Sequence, residues 1–128
     1  MARILIVDDT PDLLQVLVMI LRDAGHIITA ARDGQEALGL LKRIEFDLMI
    51  TDIVMPNKEG LETIMEARRA VPHLKIIAMS GGGWFPSQQY LAIAEKLGAS
   101  AILSKPFSGD DVLAAVSRVL SATEERQS

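Results

Sequence analysis

Five short apolar runs, each followed by a segment of helical periodicity, constrain this chain more than any other feature. The runs lie near residues 4–7, 27–30, 47–51, 75–79 and 100–103, and the helical patterns near 11–24, 34–44, 60–70, 86–97 and 109–121. Ile4-Leu5-Ile6-Val7 and Leu48-Met49-Ile50-Thr51 are nearly continuous rather than alternating, as strands buried on both faces are. Strand and helix in regular alternation predict an α/β fold around one parallel sheet. With 128 residues the chain is the size of one domain, able to bury about two-thirds of its unfolded surface.

Local signals agree with that frame. Pro11 suits the first turn of the first helix, and Gly25 stands where a C-terminal cap belongs. Ser108 with Asp111 three residues on resembles a capping box opening the last helix, whose Val112, Leu113, Val116, Val119 and Leu120 share a face. No internal repeat or linker is present, and Ala122 to Ser128 read as a short, frayed polar tail. The first helix is unusual, because between Leu13 and Leu21 only Gln15 is polar. Either this helix is deeply packed with a loosely specified outer face, or part of it is a partner surface.

Composition removes several classes of function. The net charge of -4 argues against direct nucleic-acid binding, which needs a basic surface. The absence of cysteine excludes disulfides and thiolate metal sites. No run reaches the roughly 18 residues of a membrane span, and Met-Ala-Arg followed at once by a strand leaves no room for a signal peptide. A cytoplasmic single domain is expected.

Polar residues concentrate where the strands end. Asp8 and Asp9 close the first run, Asp52 the third, Ser80 the fourth, and Lys105 follows the fifth. Ligands of open parallel sheets bind at the carboxyl ends of the strands. Three acids there repel one another, and a hard divalent cation with oxygen ligands is the usual relief. A hydroxyl and an ammonium at the same edge can hold two further oxygens of a phosphoryl group. His26 and His73 fall at the opposite edge and read as surface residues. Met19, Met49, Met65 and Met79 read as core filler. Arg32, Lys42, Arg43, Arg68 and Arg69 read as solvated charges on helices or loops.

As a set, Asp8-Asp9, Asp52-Ile53-Val54-Met55-Pro56 with Gly60, Ser80 and Lys105-Pro106-Phe107 resemble the receiver domain of two-component response regulators, in order from residue 3 to about 121. The resemblance implies a flavodoxin-like, doubly wound five-stranded parallel sheet in order 2-1-3-4-5 with five helices. It implies that Asp52 accepts a phosphoryl group from a histidine kinase or histidine phosphotransfer protein. Asp8, Asp9, Asp52 and the Val54 carbonyl would bind Mg²⁺, while Lys105 and Ser80 contact the phosphoryl oxygens. A cis bond before Pro106 is expected, and Gly60 suits a turn that favours positive φ.

The chain departs from the family at Ile102, where an aromatic residue is frequent, and at Gly82, two residues after Ser80. The segment around Gly81-Gly82-Gly83-Trp84-Phe85-Pro86 also looks longer than usual. The expected protein is a signalling switch rather than an enzyme, without direct nucleic-acid or membrane contact, a monomer or weak dimer, acting on an unidentified protein target. The rival readings are a receiver fragment of a larger DNA-binding regulator or hybrid kinase, a scaffold pseudo-receiver, and a Mg²⁺-dependent phosphohydrolase with an aspartyl-phosphate intermediate. The hydrolase wants an acid two residues after its nucleophile, where this chain has Val54. Nothing after residue 121 could form an output domain.

Overall fold

A computed structural model describes residues 2–53, 59–80, 92, 96, 98–104 and 107–127. Five strands form one sheet: β1 (Arg3–Val7), β2 (Ile27–Ala31), β3 (Leu48–Asp52), β4 (Lys75–Ser80) and β5 (Ala101–Ser104). All neighbours pair in parallel, in the order β2-β1-β3-β4-β5. Four helices are described: α1 (Pro11–Asp23), α2 (Gly34–Arg43), α3 (Glu59–Ala70) and α4 (Gly109–Gln127). Most of the helix expected near 86–97 lies outside the described residues, but Ala92 and Lys96 are helical.

The continuous apolar runs become central strands because both of their faces are covered. Ile4, Ile6, Leu48, Ile50, Ile77 and Met79 pack with α1 and α4, through Leu17, Leu21, Val112 and Val116. Leu5, Val7, Met49, Ile76 and Ala78 point the other way and pack with α2 and α3, through Ala37, Leu41, Ile64 and Ala67. Every residue of Ile4–Val7 and Leu48–Ile50 is fully buried. Each large side chain there contributes about 1.5–3 kcal/mol.

The helix ends follow local chemistry. Gly25 has φ +97 and closes α1, with its N–H on Arg22 O at 2.9 Å and the His26 N–H on Leu21 O at 3.1 Å, a double clasp that satisfies two terminal carbonyls. Asp33 caps α2 by accepting the Glu36 N–H at 2.8 Å. The capping box is present: Asp111 accepts the Ser108 N–H at 2.9 Å, and Ser108 Oγ accepts the Asp111 N–H at 3.1 Å. At the start of α2, a Cβ on Gly34 would overlap the hydroxyl of buried Thr63, so the glycine allows α3 its close approach.

Four expectations need correction. Helix α4 continues to Gln127 where a frayed tail was expected, because Ala122 to Gln127 contain no glycine or proline and include the strong helix formers Glu124, Glu125 and Arg126. Gly60 is the second residue of α3 rather than a turn. Met49 and Met79 are core residues, but Met19 and Met65 are 61% and 42% exposed. Arg68 is not solvated: its guanidinium donates to the carbonyls of Pro72, Leu74 and Gly98. Gly98 has φ +104, and a Cβ there would meet Arg68 Nε at 2.9 Å. His26 lies at the surface edge as expected, half-buried, with its Nδ1 accepting the Ala2 N–H at 3.2 Å. The outer face of α1 is open at Val16 and Met19, 51% and 61% exposed, while Leu17 and Leu21 are buried, a pattern common to both readings of this helix.

Candidate phosphoacceptor and metal site

The sheet order brings the acids together. β1 lies between β2 and β3, with Val7 opposite Thr51, so Asp8 and Asp52 leave adjacent strands at the same level. Asp8 is fully buried, Asp52 is 4% exposed, and Asp9 faces solvent. One carboxylate oxygen from each lies within 4.8 Å of the others. At that separation two buried charges repel by on the order of 3 kcal/mol. The start of α1 offsets part of this. Asp8 Oδ1 accepts the Thr10 N–H at 2.7 Å, and the helix that begins at Pro11 presents its positive dipole end here. Thr10 makes no side-chain cap, so the backbone clasp to Asp8 stands in its place.

Three hard carboxylate oxygens at this spacing suit a hard divalent cation of the magnesium or calcium type. Asp52 itself is held from several directions. Its strand neighbour across β4 is Met79, the following Ile53 N–H bonds Met79 O at 2.9 Å, and its carbonyl accepts the Thr51 hydroxyl at 3.3 Å. Ser80 is the next residue of β4, opposite Ser104 of β5, so the backbone carries both strands to the edge where the acids lie. Val54, Lys105 and Pro106, and the segment 81–91 with Gly82 and Trp84, lie outside the described residues. Ile102 is half-buried and packs on the α2–α3 side of the sheet. The sequence did not single out Thr51, which looked like one more member of an apolar run, or the Thr10 backbone amide.

The family model of the response regulator receiver domain matches residues 4–117. This chain belongs to that family. It is 37% identical over 113 residues to a response regulator receiver protein of an Anaeromyxobacter strain, covering 88% of this chain and 46% of that protein. It is 35% identical over 119 residues to the chemotaxis protein CheY of Thermotoga maritima, covering 91% of this chain and 96% of that one. Among solved structures, a CheY-like receiver domain protein of Methanospirillum hungatei superposes with a TM-score of 0.88 at 28% identity, covering 98% of both chains. The receiver thus spans about half of the first of these relatives and nearly all of the other two. A receiver is a signalling switch that works with histidine kinases or phosphotransfer proteins and with downstream targets.

Proposed function

We propose that this receiver stores its signal as a phosphoryl group on Asp52, with Mg²⁺ held by Asp8, Asp9, Asp52 and the Val54 carbonyl. The observation that carries the reading is the cluster of three carboxylates around a nearly buried Asp52 at the carboxyl edge of the sheet. An Asp52 carboxylate oxygen attacks phosphorus in line, the bond from phosphorus to the donor nitrogen or oxygen breaks, and the donor leaves with the electron pair. The cation, when bound, neutralises charge on the transferring oxygens. Lys105 and Ser80 would take the remaining phosphoryl oxygens. The reaction alters the protein itself, so the chain acts as a switch and not as a turnover enzyme, and residues 1–121 would be the switch unit. The apolar outer face of α1, with Val16 and Met19, supplies a docking surface for the phosphohistidine donor. Cytoplasmic location and the absence of direct DNA contact belong to this reading. A second reading, that the chain is the receiver of a longer regulator, is supported by its 46% coverage of the Anaeromyxobacter relative.

Acetyl phosphate tests the assignment without a partner protein. With Mg²⁺ it should add one phosphoryl mass to the protein, chelation of Mg²⁺ should prevent this, and Asp52→Asn should abolish it. Equal labelling of the Asn variant would sink the assignment.

A further inference from the structure

Thr51 occupies a place where the pattern calls for a hydrocarbon. It is fully buried in β3, opposite Val7 of β1 and Ala78 of β4. Alternation along the strand puts it on the face of Met49 and Ile53, both members of the α2–α3 apolar cluster. Asp52 points to the other face, so the Thr51 side chain does not enter the acid pocket. A hydroxyl in such surroundings costs roughly 1–3 kcal/mol unless it is hydrogen-bonded, and valine would fill the same volume at no such cost. The hydroxyl donates to the main-chain carbonyl of Asp52 at 3.3 Å. The other end of that same peptide unit, the Ile53 N–H, is fixed to Met79 O at 2.9 Å. Both polar groups of the Asp52–Ile53 peptide are therefore held, one by a side chain and one by the neighbouring strand.

From this geometry we infer that Thr51 is a positioning residue for phosphoryl transfer, acting through the backbone of Asp52. The inference rests on the reading of Asp52 as acceptor. Rotation of the 52–53 peptide would turn the carboxylate away from its line of attack, and would also shift the strand exit that leads to Val54. A ligand-free sheet needs no such restraint at its last residue; a nucleophile that must meet phosphorus in line does.

The test pairs shape against hydroxyl. Thr51→Val keeps the volume and removes the donor, whereas Thr51→Ser keeps the donor and removes a methyl. With saturating Mg²⁺ and acetyl phosphate, Thr51→Val should still reach one phosphoryl per chain, but roughly threefold to tenfold more slowly. Its unfolding midpoint should be no lower than wild type, and the Asp52 carbonyl ¹³C resonance should move as its hydrogen bond is lost. Thr51→Ser should restore the rate to within about twofold of wild type. If Thr51→Val proves unstable, Thr51→Ala against Thr51→Ser gives the same contrast at nearly equal volume. A wild-type rate for Thr51→Val, or equal slowing by Val and Ser, overturns the inference while blank labelling of Asp52→Asn leaves the acceptor intact. Undiminished labelling of Asp52→Asn overturns both.

Discussion

At the carboxyl ends of β1 and β3, Asp8, Asp9 and Asp52 crowd their oxygens within 4.8 Å, whereas beyond the opposite ends of β4 and β5 the Arg68 guanidinium is occupied by three backbone carbonyls. Asp47 belongs to the same opposite edge, accepting the Arg3 N–H at 2.9 Å and donating its own N–H to Arg3 O at 2.8 Å. One edge gathers three acids around a space for a ligand, and charge at the other is consumed in closing the chain on itself. The difference teaches where this molecule can respond. An edge whose polar groups are matched by backbone gains little from a ligand, while an edge that brings three carboxylates together gains stability from a cation they can share.

The largest effect should come from breaking the matched edge. Arg68→Ala leaves the Leu74 and Gly98 carbonyls without their charged donor and should cost about 2–4 kcal/mol in urea unfolding. Arg68→Lys should recover less than half, since a single ammonium lacks the planar fork that reaches several carbonyls at once. A loss below about 0.5 kcal/mol would place Arg68 among ordinary surface residues and dissolve the contrast between the edges.

The next effect has the opposite sign. Asp9→Asn should raise the stability of Mg²⁺-free protein by about 1 kcal/mol, because it removes one of three like charges. The same variant should lose most of the stabilisation by Mg²⁺, which for wild type reaches about 2.7 kcal/mol at a concentration 100 times the Kd. Thermal unfolding with and without Mg²⁺ measures both numbers. If Asp9→Asn is as responsive to Mg²⁺ as wild type, the cation does not use this cluster.

The smallest effect sharpens the picture of the closed edge. Burial, and secondarily the positive amino terminus, lowers the His26 pKa below its ordinary 6.5. Its Nδ1 must stay unprotonated to accept the Ala2 N–H. The unfolded chain therefore takes up the proton first as pH falls through 6.5. Stability is full above that value, declines from there to the lower folded pKa, and changes no further from this group below it. Urea unfolding across pH 7.5 to 5 should show this slope, and His26→Gln should remove it. An unaltered slope in the Gln variant would assign the pH dependence to other groups.

Much of this was readable in the chain. Strands buried on both faces write themselves as continuous apolar runs, and each βα unit carries its own stop signals, so Gly25 and the Ser108–Asp111 box were found where the sequence put them. The acids were readable for a related reason: a charge that ends a buried strand has nowhere to go except the edge. Arg68 was not readable, because its partner Gly98 lies 30 residues away and an arginine on a helix has the same local pattern whether solvated or clamped. Met19 escaped for a different reason. The periodicity of a helix that is apolar nearly all round cannot tell which face is covered. Thr51 was hidden by its own disguise, since a β-branched residue in an apolar run looks like packing until its hydroxyl is followed to the Asp52 carbonyl.

The contact between Gly34 and Thr63 has a mechanical consequence. With no side chain between the start of α2 and the middle of α3, neither helix can roll against the other without forcing backbone into a hydroxyl. The two helices are therefore locked against each other at this point on their side of the sheet. A displacement of α3 is passed to α2 at this contact. A spin-label pair set one on each helix should report the same separation before and after treatment with Mg²⁺ and acetyl phosphate.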